Sequence, residues 1–164
     1  MSTFNILFIC THNSARSIIG EAVASTHPSG KFVGYSAGLH PQTSVSPMAI
    51  EVTEELGYPK EQLRSKSWEE FAEPNAPVMD FIIYLYDPLN GEPIPHVPGN
   101  PASAYWSFPD PSSLGDGYDA ILRRAMRSIM VGLIKRVHIL ASMPIETIST
   151  ISLQKKLAEI NQTA

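Results

Sequence analysis

The chain has 164 residues, a hydrophobic fraction of 43% and a formal net charge of −4. This length predicts one domain that buries a core without disulfides, and the acidic balance disfavours a nucleic-acid-binding protein, which normally presents a basic surface. The chain has one cysteine, so it has no internal disulfide. Because it shows neither a secretory signal nor an apolar run that spans a bilayer, we expect a cytoplasmic protein with no membrane partner.

The first half of the chain alternates apolar runs with helical patterns. Breaker clusters such as His27-Pro28-Ser29-Gly30 separate these elements, and Ser46-Pro47 is typical of an N-cap followed by proline at the first helical position. The predicted elements are a strand at Asn5–Ile9, a helix at Ala15–Thr26, a strand at Lys31–Ser36, a helix from Pro47 to Leu56 and a short helix at Ser67–Phe71.

The second half continues the alternation. The almost wholly apolar run Asp80–Tyr86 predicts a strand covered on both faces, and Ala102–Trp106 predicts a fourth strand. Apolar residues at helical spacing from Tyr118 to Val137 predict a long helix, and Ile151–Ile160 predicts a shorter amphipathic one. We therefore expect an α/β fold with a four-stranded parallel sheet and helices on both faces.

A small polar loop, residues 11–15, separates Cys10 from Arg16 at the junction of the first strand and the first helix. Loop amides and the first free N–H groups of a helix make such a junction an anion site, where a thiol ionises more readily and becomes a nucleophile. Arg16 offers a bidentate clamp for an oxyanion. A lone cysteine at the end of a strand is commonly inert packing, but the strand before it and the helix after it favour the nucleophile.

Two further residues of this segment support oxyanion chemistry. Asn13 tolerates a left-handed turn, and the Ser17 hydroxyl can donate to the sulfur. His12 either binds the oxyanion or thiolate when protonated or is a solvated loop residue. The remaining histidines show no metal-ligand spacing with each other or with Cys10, so we expect no metal site.

Asp110 lies between two prolines after the fourth predicted strand. Ligands of parallel sheets bind beyond the carboxyl ends of the strands, so a carboxyl on this stiffened loop is placed to act as a general acid, which requires a raised pKa. The alternative is a simple turn, in which Asp is a favoured residue. Asp87, in a second Asp-Pro pair directly after the third strand, competes for the same role.

The run from Cys10 to Ser17, Cys-Thr-His-Asn-Ser-Ala-Arg-Ser, resembles the nucleophile loop of the low-molecular-weight protein tyrosine phosphatase superfamily, and more narrowly that of the arsenate reductases built on that fold. Similar features follow at Gly20-Glu21-Ala22, Ser36-Ala37-Gly38, Ser46-Pro47, Ser65-Lys66-Ser67 and Trp106…Asp110-Pro111. The likeness runs from about Phe4 to Leu140. It implies one domain over residues 1–164, whose part from about 141 to 164 resembles a C-terminal helical extension of bacterial members.

The resemblance also implies roles for individual residues. Cys10 is the nucleophile, Arg16 the oxyanion clamp, Ser17 the donor to the thiolate and Asp110 the acid. The oxyanion, arsenate or phosphate, is held by the loop residues Thr11, His12, Asn13, Ser14, Ala15 and Arg16, with Asn13 organising the loop. No bound cofactor is implied.

One departure from the family bears on the mechanism. Its thioredoxin-coupled reductases carry two further cysteines, at the end of the third strand and several residues on, whereas residues 84–93 have none here. Because an internal disulfide takes two thiols, the resemblance implies an arsenate reductase that uses an external thiol of the glutathione or mycothiol type, with a glutaredoxin-type redoxin as partner. Two alternatives stay open, a phosphatase that hydrolyses phosphomonoesters and a non-catalytic oxyanion-binding module.

Overall fold

The computed structural model describes residues 3–114 and 119–163, and its centre is a four-stranded, wholly parallel sheet in the order β2-β1-β3-β4. The strands are β1 Phe4–Cys10, β2 Phe32–Gly38, β3 Phe81–Tyr84 and β4 Ala102–Tyr105. The α-helices are α1 Arg16–Thr26, α2 Pro47–Glu54, α3 Asp119–Ala141 and α4 Thr150–Thr163. Short 3₁₀ helices lie at Lys60–Gln62, Trp68–Ala72 and Pro111–Leu114. The predicted four-stranded parallel sheet is confirmed.

The register of the sheet brings the carboxyl ends of its strands together. Cys10 at the end of β1 is level with Gly38 at the end of β2, and Ile9 is level with Tyr84 at the end of β3. Since β1 is paired on both sides, the loop that follows Cys10 emerges from the middle of the sheet edge. The segments that follow the other three strands therefore surround that loop.

The four α-helices contribute to one hydrophobic core, on the face of the sheet that carries Phe8 and Ile83. The opposite face, with Ile9 and Tyr84, packs against Phe71 and neighbouring apolar side chains of the segments outside these helices. We expected helices on both faces of the sheet. The second face is covered by a segment that contains a 3₁₀ helix, Trp68–Ala72, and not by an α-helix. Pro59 and Pro74 bound the segment that contains this 3₁₀ helix, and an α-helix does not readily continue through either of them.

Several element boundaries differ from the predicted ones by one to three residues. β3 ends at Tyr84 rather than Tyr86, although the Leu85 N–H still donates to the Ile9 carbonyl at 2.8 Å. β2 continues past Ser36 to Gly38, whose N–H donates to the Lys66 carbonyl at 2.9 Å. The predicted start of the long helix, Tyr118, lies outside the described residues.

Glycine at position 34 lets α1 approach β2 closely. A Cβ atom built there would lie 2.4 Å from the backbone carbonyl oxygen of Glu21, well inside van der Waals contact. The absence of a side chain at Gly34 therefore sets the separation of α1 from the sheet. This separation fixes where the N-terminus of α1 meets the end of β1.

The C-terminal helix α4 is part of the same core. Leu157 and Ile160 are buried, and the Leu157 carbonyl accepts a hydrogen bond of 3.0 Å from the indole N–H of Trp106. The predicted amphipathic helix at Ile151–Ile160 is confirmed within α4. No helix of the described part of the chain is long and apolar enough to cross a membrane.

Two histidines meet between the end of α1 and the last turn of α3. The His27 Nε2 atom lies 3.3 Å from His138 Nδ1, and His27 Nδ1 accepts the backbone N–H of Ser29 at 3.2 Å. Accepting that bond requires a neutral ring. Burial and, secondarily, the neighbouring His138 lower the pKa of His27 below its usual value.

We expect this pair to make stability depend on pH. A histidine whose pKa is lower in the folded than in the unfolded chain stabilises the fold above the unfolded pKa, near 6.5, and loses that contribution as the pH falls. Between pH 7.5 and 5.5 the unfolding temperature of the wild type should fall by about 1–2 °C more than that of His27→Gln. Thermal unfolding followed by circular dichroism measures this, with the exposed His96→Gln as control; equal losses in the wild type and His27→Gln would contradict it.

Candidate active site

The strand β1, the loop of residues 11–15 and helix α1 form one continuous unit around Cys10. Cys10 ends the central strand and is 2% exposed. Ala15 is the N-cap residue of α1, and no side chain caps that end. The first N–H groups of α1 therefore remain available at the same point where the cysteine lies, together with the positive end of the helix dipole.

The carbonyl oxygens of the loop are bound from outside by the segment after β2. The donors are backbone N–H groups, from Leu39 to Cys10 at 3.0 Å, from His40 to Thr11 at 2.7 Å, from Gln42 to His12 at 3.0 Å and from Ser46 to Ser14 at 2.9 Å. Within the described residues, nothing accepts a hydrogen bond from the N–H groups of residues 11–15. The loop thus keeps a set of free backbone donors, which is the geometry of an anion-binding nest.

Asn13 fixes both the shape of the loop and the orientation of Ser17. Its φ of 49° is in the left-handed region, and its side chain is fully buried. The Asn13 Nδ2 group donates to Ser17 Oγ at 2.6 Å, and Asn13 Oδ1 accepts the backbone N–H of Lys66 at 2.8 Å. Since Ser17 Oγ accepts from Asn13, its own proton is free for Cys10 Sγ, 3.0 Å away.

Gly38 provides the room for this loop beside β2. A Cβ atom at this position would lie 2.9 Å from the backbone nitrogen of Asn13. Any other residue would push the loop away from the strand, so the close approach requires glycine.

Arg16 is 5% exposed, and backbone carbonyls from two other segments hold its guanidinium. Nη1 donates to the Phe108 carbonyl at 3.0 Å and to the Leu85 carbonyl at 3.4 Å. Nη2 donates to Thr11 Oγ1 at 3.3 Å. The ends of β1, β3 and β4 therefore all contribute to positioning this side chain, as expected for an oxyanion clamp that must be rigid.

Asp110 lies beside Arg16, and the distance between Asp110 Oδ2 and Arg16 Nη2 is 3.6 Å. Burial acts to raise the pKa of Asp110, but hydrogen bonds from Ser112 and the charges of Arg16 and His12 outweigh it, so the pKa lies below its usual value. The expectation of a raised pKa is wrong for this structure. The reason is that Arg16 and the Ser112 N–H, 3.0 Å from Oδ1, both stabilise the carboxylate.

Asp87, the competing carboxylate, is exposed and accepts the backbone N–H of Leu89 at 2.9 Å. It shares with Asp110 a cavity of about 500 Å³ that Arg16 and Thr11 also line. In the described part of the chain, Asp110 is the carboxylate paired with Arg16, so the geometry favours it for the acid role.

The remaining loop residues lie in different surroundings. The Nδ1 atom of His12 lies 3.2 Å from the His40 carbonyl oxygen. Ser14 and Ala15 line a second cavity of about 290 Å³ on the other side of Asp110. Residues 11–15, which were predicted to bind the oxyanion, all offer backbone N–H groups. The side chain of Asn13 is not available to an anion, because it bonds Ser17 and Lys66.

A buried ion pair behind the loop was not identified from the sequence. Lys66 Nζ lies 3.8 Å from Glu21 Oε1 and donates to Ser36 Oγ at 3.1 Å, and Ser36 in turn donates to Glu21 at 2.6 Å. Tyr58 donates to the second carboxylate oxygen at 2.6 Å. Burial, the largest influence, lowers the pKa of Lys66. Because the Lys66 backbone binds Asn13, this pair anchors the segment that holds the loop.

A signal for this ion pair is present in the sequence of α1. Glu21 stands among apolar residues on both sides, and the carboxylate of such a residue is buried only when it has partners. The sequence does not indicate which of the distant residues supplies them.

The family of the protein follows from its sequence match. Residues 5–96 match the family described as low molecular weight phosphotyrosine protein phosphatase. This match covers more than half of the chain, and the chain belongs to that family. It includes Cys10, the loop and Arg16 but ends before Asp110. No curated protein matches the chain.

Solved structures with the same fold include arsenate reductases and tyrosine phosphatases. An arsenate reductase in the phosphate-binding state is 25% identical, with a TM-score of 0.63 over 85% of this chain and 98% of that chain. An arsenate reductase from Archaeoglobus fulgidus is 22% identical, with a TM-score of 0.58 and coverages of 81% and 98%. The tyrosine phosphatase Wzb from Escherichia coli K30, in complex with sulphate, is 18% identical, with a TM-score of 0.58 and coverages of 84% and 99%.

We expect the Asn13 side chain to control the reactivity of Cys10. In Asn13→Gly the loop keeps access to a positive φ, but Ser17 loses the partner that orients its hydroxyl. Loss of one hydrogen bond worth about 1 kcal/mol should slow alkylation of Cys10 by iodoacetamide at pH 7 roughly fivefold. The matched variant Ser17→Ala removes the same donor to sulfur and should give a similar rate. An unchanged rate in both folded variants would show that this pair does not act on the sulfur.

Proposed function

We propose that the protein is an arsenate reductase in which Cys10 is the nucleophile and an external thiol completes the reaction. The observation that carries the proposal is the likeness, at 25% identity and over 98% of its length, to an arsenate reductase in a phosphate-binding state. The free loop amides and the buried Arg16 support binding of a tetrahedral oxyanion. A carboxylate beside Arg16 supports catalysis rather than simple binding of the anion.

In the first step, the Cys10 thiolate attacks arsenic and an As–O bond breaks. The leaving hydroxyl group of arsenate takes a proton from Asp110 and departs as water, leaving arsenic(V) bound to sulfur. Ser17 stabilises the thiolate before attack, and Arg16 and the loop N–H groups bind the negative oxygens. This step consumes no electrons.

In the second step, the external thiol supplies the two electrons. Its thiolate attacks Cys10 Sγ, and the electron pair of the S–As bond goes to arsenic. An S–S bond forms, arsenic(V) becomes arsenic(III), and arsenite leaves. A second thiol, free or in a redoxin, then reduces the mixed disulfide and restores Cys10. The external thiol is required because Cys10 is the one cysteine of the chain.

A second candidate is hydrolysis of phosphomonoesters, which the description of the matched family favours. The first step is the same with phosphorus in place of arsenic. Water then attacks the phospho-cysteine, so no second sulfur is needed. The two candidates differ in whether turnover depends on added thiol.

We expect arsenite production to require a low-molecular-weight thiol. Arsenate is supplied with thioredoxin and its reductase alone, then with glutathione and glutaredoxin, and arsenite is measured; a phosphotyrosine assay runs beside it. Activity should appear in the second condition and vanish in Cys10→Ser. Full activity with thioredoxin alone would refute the mechanism, and fast phosphotyrosine hydrolysis without arsenite formation would establish the phosphatase.

We expect Asp110→Asn to lower the rate far more than the affinity for the oxyanion. Loss of a general acid costs on the order of 10²–10⁴-fold in kcat, whereas Arg16 and the loop amides still bind the anion. The matched control is Asp87→Asn, which removes the exposed carboxylate of the same cavity. Steady-state kinetics on both variants show which carboxyl group acts as the acid. A large loss of kcat in Asp87→Asn, with kcat nearly unchanged in Asp110→Asn, would assign the acid role to Asp87.

A further inference from the structure

The aromatic ring of Phe108 packs on helix α3. The residues on either side of it in the chain, Ser107 and Pro109, are exposed, so the Phe108 side chain attaches this short segment to the helix. A Cβ atom on Gly132 would lie 2.7 Å from the ring, which shows that the ring rests directly on the helix backbone. The Arg136 guanidinium lies 4.7 Å from the ring centre, within the range of a cation–π contact.

Two helices hold the Arg136 side chain. Its Nη1 group donates to the Gly132 carbonyl of α3 at 2.8 Å, and its Nε group donates to Asn161 Oδ1 of α4 at 3.1 Å. Since the guanidinium is planar and rigid, these two bonds set its orientation over the ring. The Phe108 ring is therefore enclosed between the backbone of α3 and a cation that α4 helps to orient.

The backbone of Phe108 belongs to the candidate active site. Its carbonyl accepts the 3.0 Å hydrogen bond from Arg16 Nη1, and its N–H donates to the Leu85 carbonyl at 3.0 Å. The Leu85 carbonyl is the second acceptor of Arg16 Nη1, at 3.4 Å. Because the contacts of the ring with α3 limit where the Phe108 backbone can lie, they also set the position of a carbonyl that orients Arg16.

We propose that Arg136 is a positioning residue for the oxyanion clamp. It holds the Phe108 ring on α3 and thereby fixes the Phe108 carbonyl that orients the Arg16 guanidinium. Helix α4 contributes through Asn161, which gives the C-terminal part of the chain a role in oxyanion binding. This inference rests on the proposed role of Arg16 as the clamp, and it holds whether the substrate is arsenate or a phosphomonoester.

The test measures the affinity for inorganic phosphate, a tetrahedral oxyanion without a leaving alcohol. In calorimetric titrations at fixed ionic strength, Arg136→Ala should raise the Kd about fivefold, the effect of losing one hydrogen bond to the anion. Gly132→Ala should weaken binding to a similar extent, because its methyl group displaces the same ring without removing a charge. Arg136→Lys keeps a cation for the ring and should recover part of the affinity.

The controls separate positioning from charge and from stability. Lys135→Gln removes the exposed cation next to Arg136 and should bind phosphate as the wild type does. Val137→Ala removes buried volume from the same turn of α3, and it should lower the unfolding temperature without changing the Kd. Asn161→Ala should weaken binding in the wild type but not further in Arg136→Ala, because both changes act through the same guanidinium.

An unchanged Kd in Arg136→Ala would overturn the inference and leave Arg16 as the clamp; Gly132→Ala and Asn161→Ala decide in the same way if Arg136→Ala does not fold. An equal loss of affinity in Lys135→Gln or Val137→Ala would also overturn it, since charge or general stability would then be the cause. If the wild type binds no phosphate, the proposed clamp itself is refuted, and the inference with it.

Discussion

The site depends on one backbone arrangement, the binding of the loop's carbonyl oxygens from outside. A peptide group whose oxygen is held by the segment of residues 39–46 must turn its N–H group the other way, and this occurs at successive positions after Cys10. The result is a set of donors for an anion that requires no cation to form. The arrangement exists because β2 lies beside β1 in the same direction, so its continuation passes along the loop, and because Gly38 allows the two backbones to approach.

The topology of the sheet also fixes the guanidinium. Arg16 reaches across the carboxyl edge and binds carbonyl groups of Leu85 and Phe108, which follow β3 and β4. Neutral carbonyls set the position of this buried cation without neutralising its charge. The geometry of the candidate site is therefore a product of the strand order β2-β1-β3-β4, in which the inner strand β1 carries Cys10 and the segments after β3 and β4 hold Arg16.

Local spacing predicted the parts of the site that lie close together in the chain. Cys10, Arg16 and Ser17 belong to one strand–loop–helix unit, whose geometry follows from the sequence pattern. The contribution of Lys66 was not predictable in this way, because it reaches Asn13 from 53 residues away through its backbone N–H, which carries no sequence signal. The lowered pKa of Asp110 was not predicted either, because it results from local hydrogen bonds of Ser112 together with the charges of Arg16 and His12, which outweigh burial. On the second face of the sheet, the short helix predicted at Ser67–Phe71 is a 3₁₀ helix at Trp68–Ala72, a distinction that the sequence pattern does not make.

The contact between Arg16 and Asp110 has a consequence for the proposed reaction, because an oxyanion bound at Arg16 changes the charge beside Asp110. The carboxylate is 36% exposed and lies 3.6 Å from the guanidinium, so the two charges partly compensate each other. A bound oxyanion draws the guanidinium's charge to itself and brings negative charge beside Asp110, and both effects raise the pKa of that carboxyl. In the reaction proposed above, Asp110 would then take up a proton from solvent as the oxyanion binds. The charge of the substrate would in that way convert a carboxyl group whose pKa is lowered in this structure into the acid that the proposed chemistry requires.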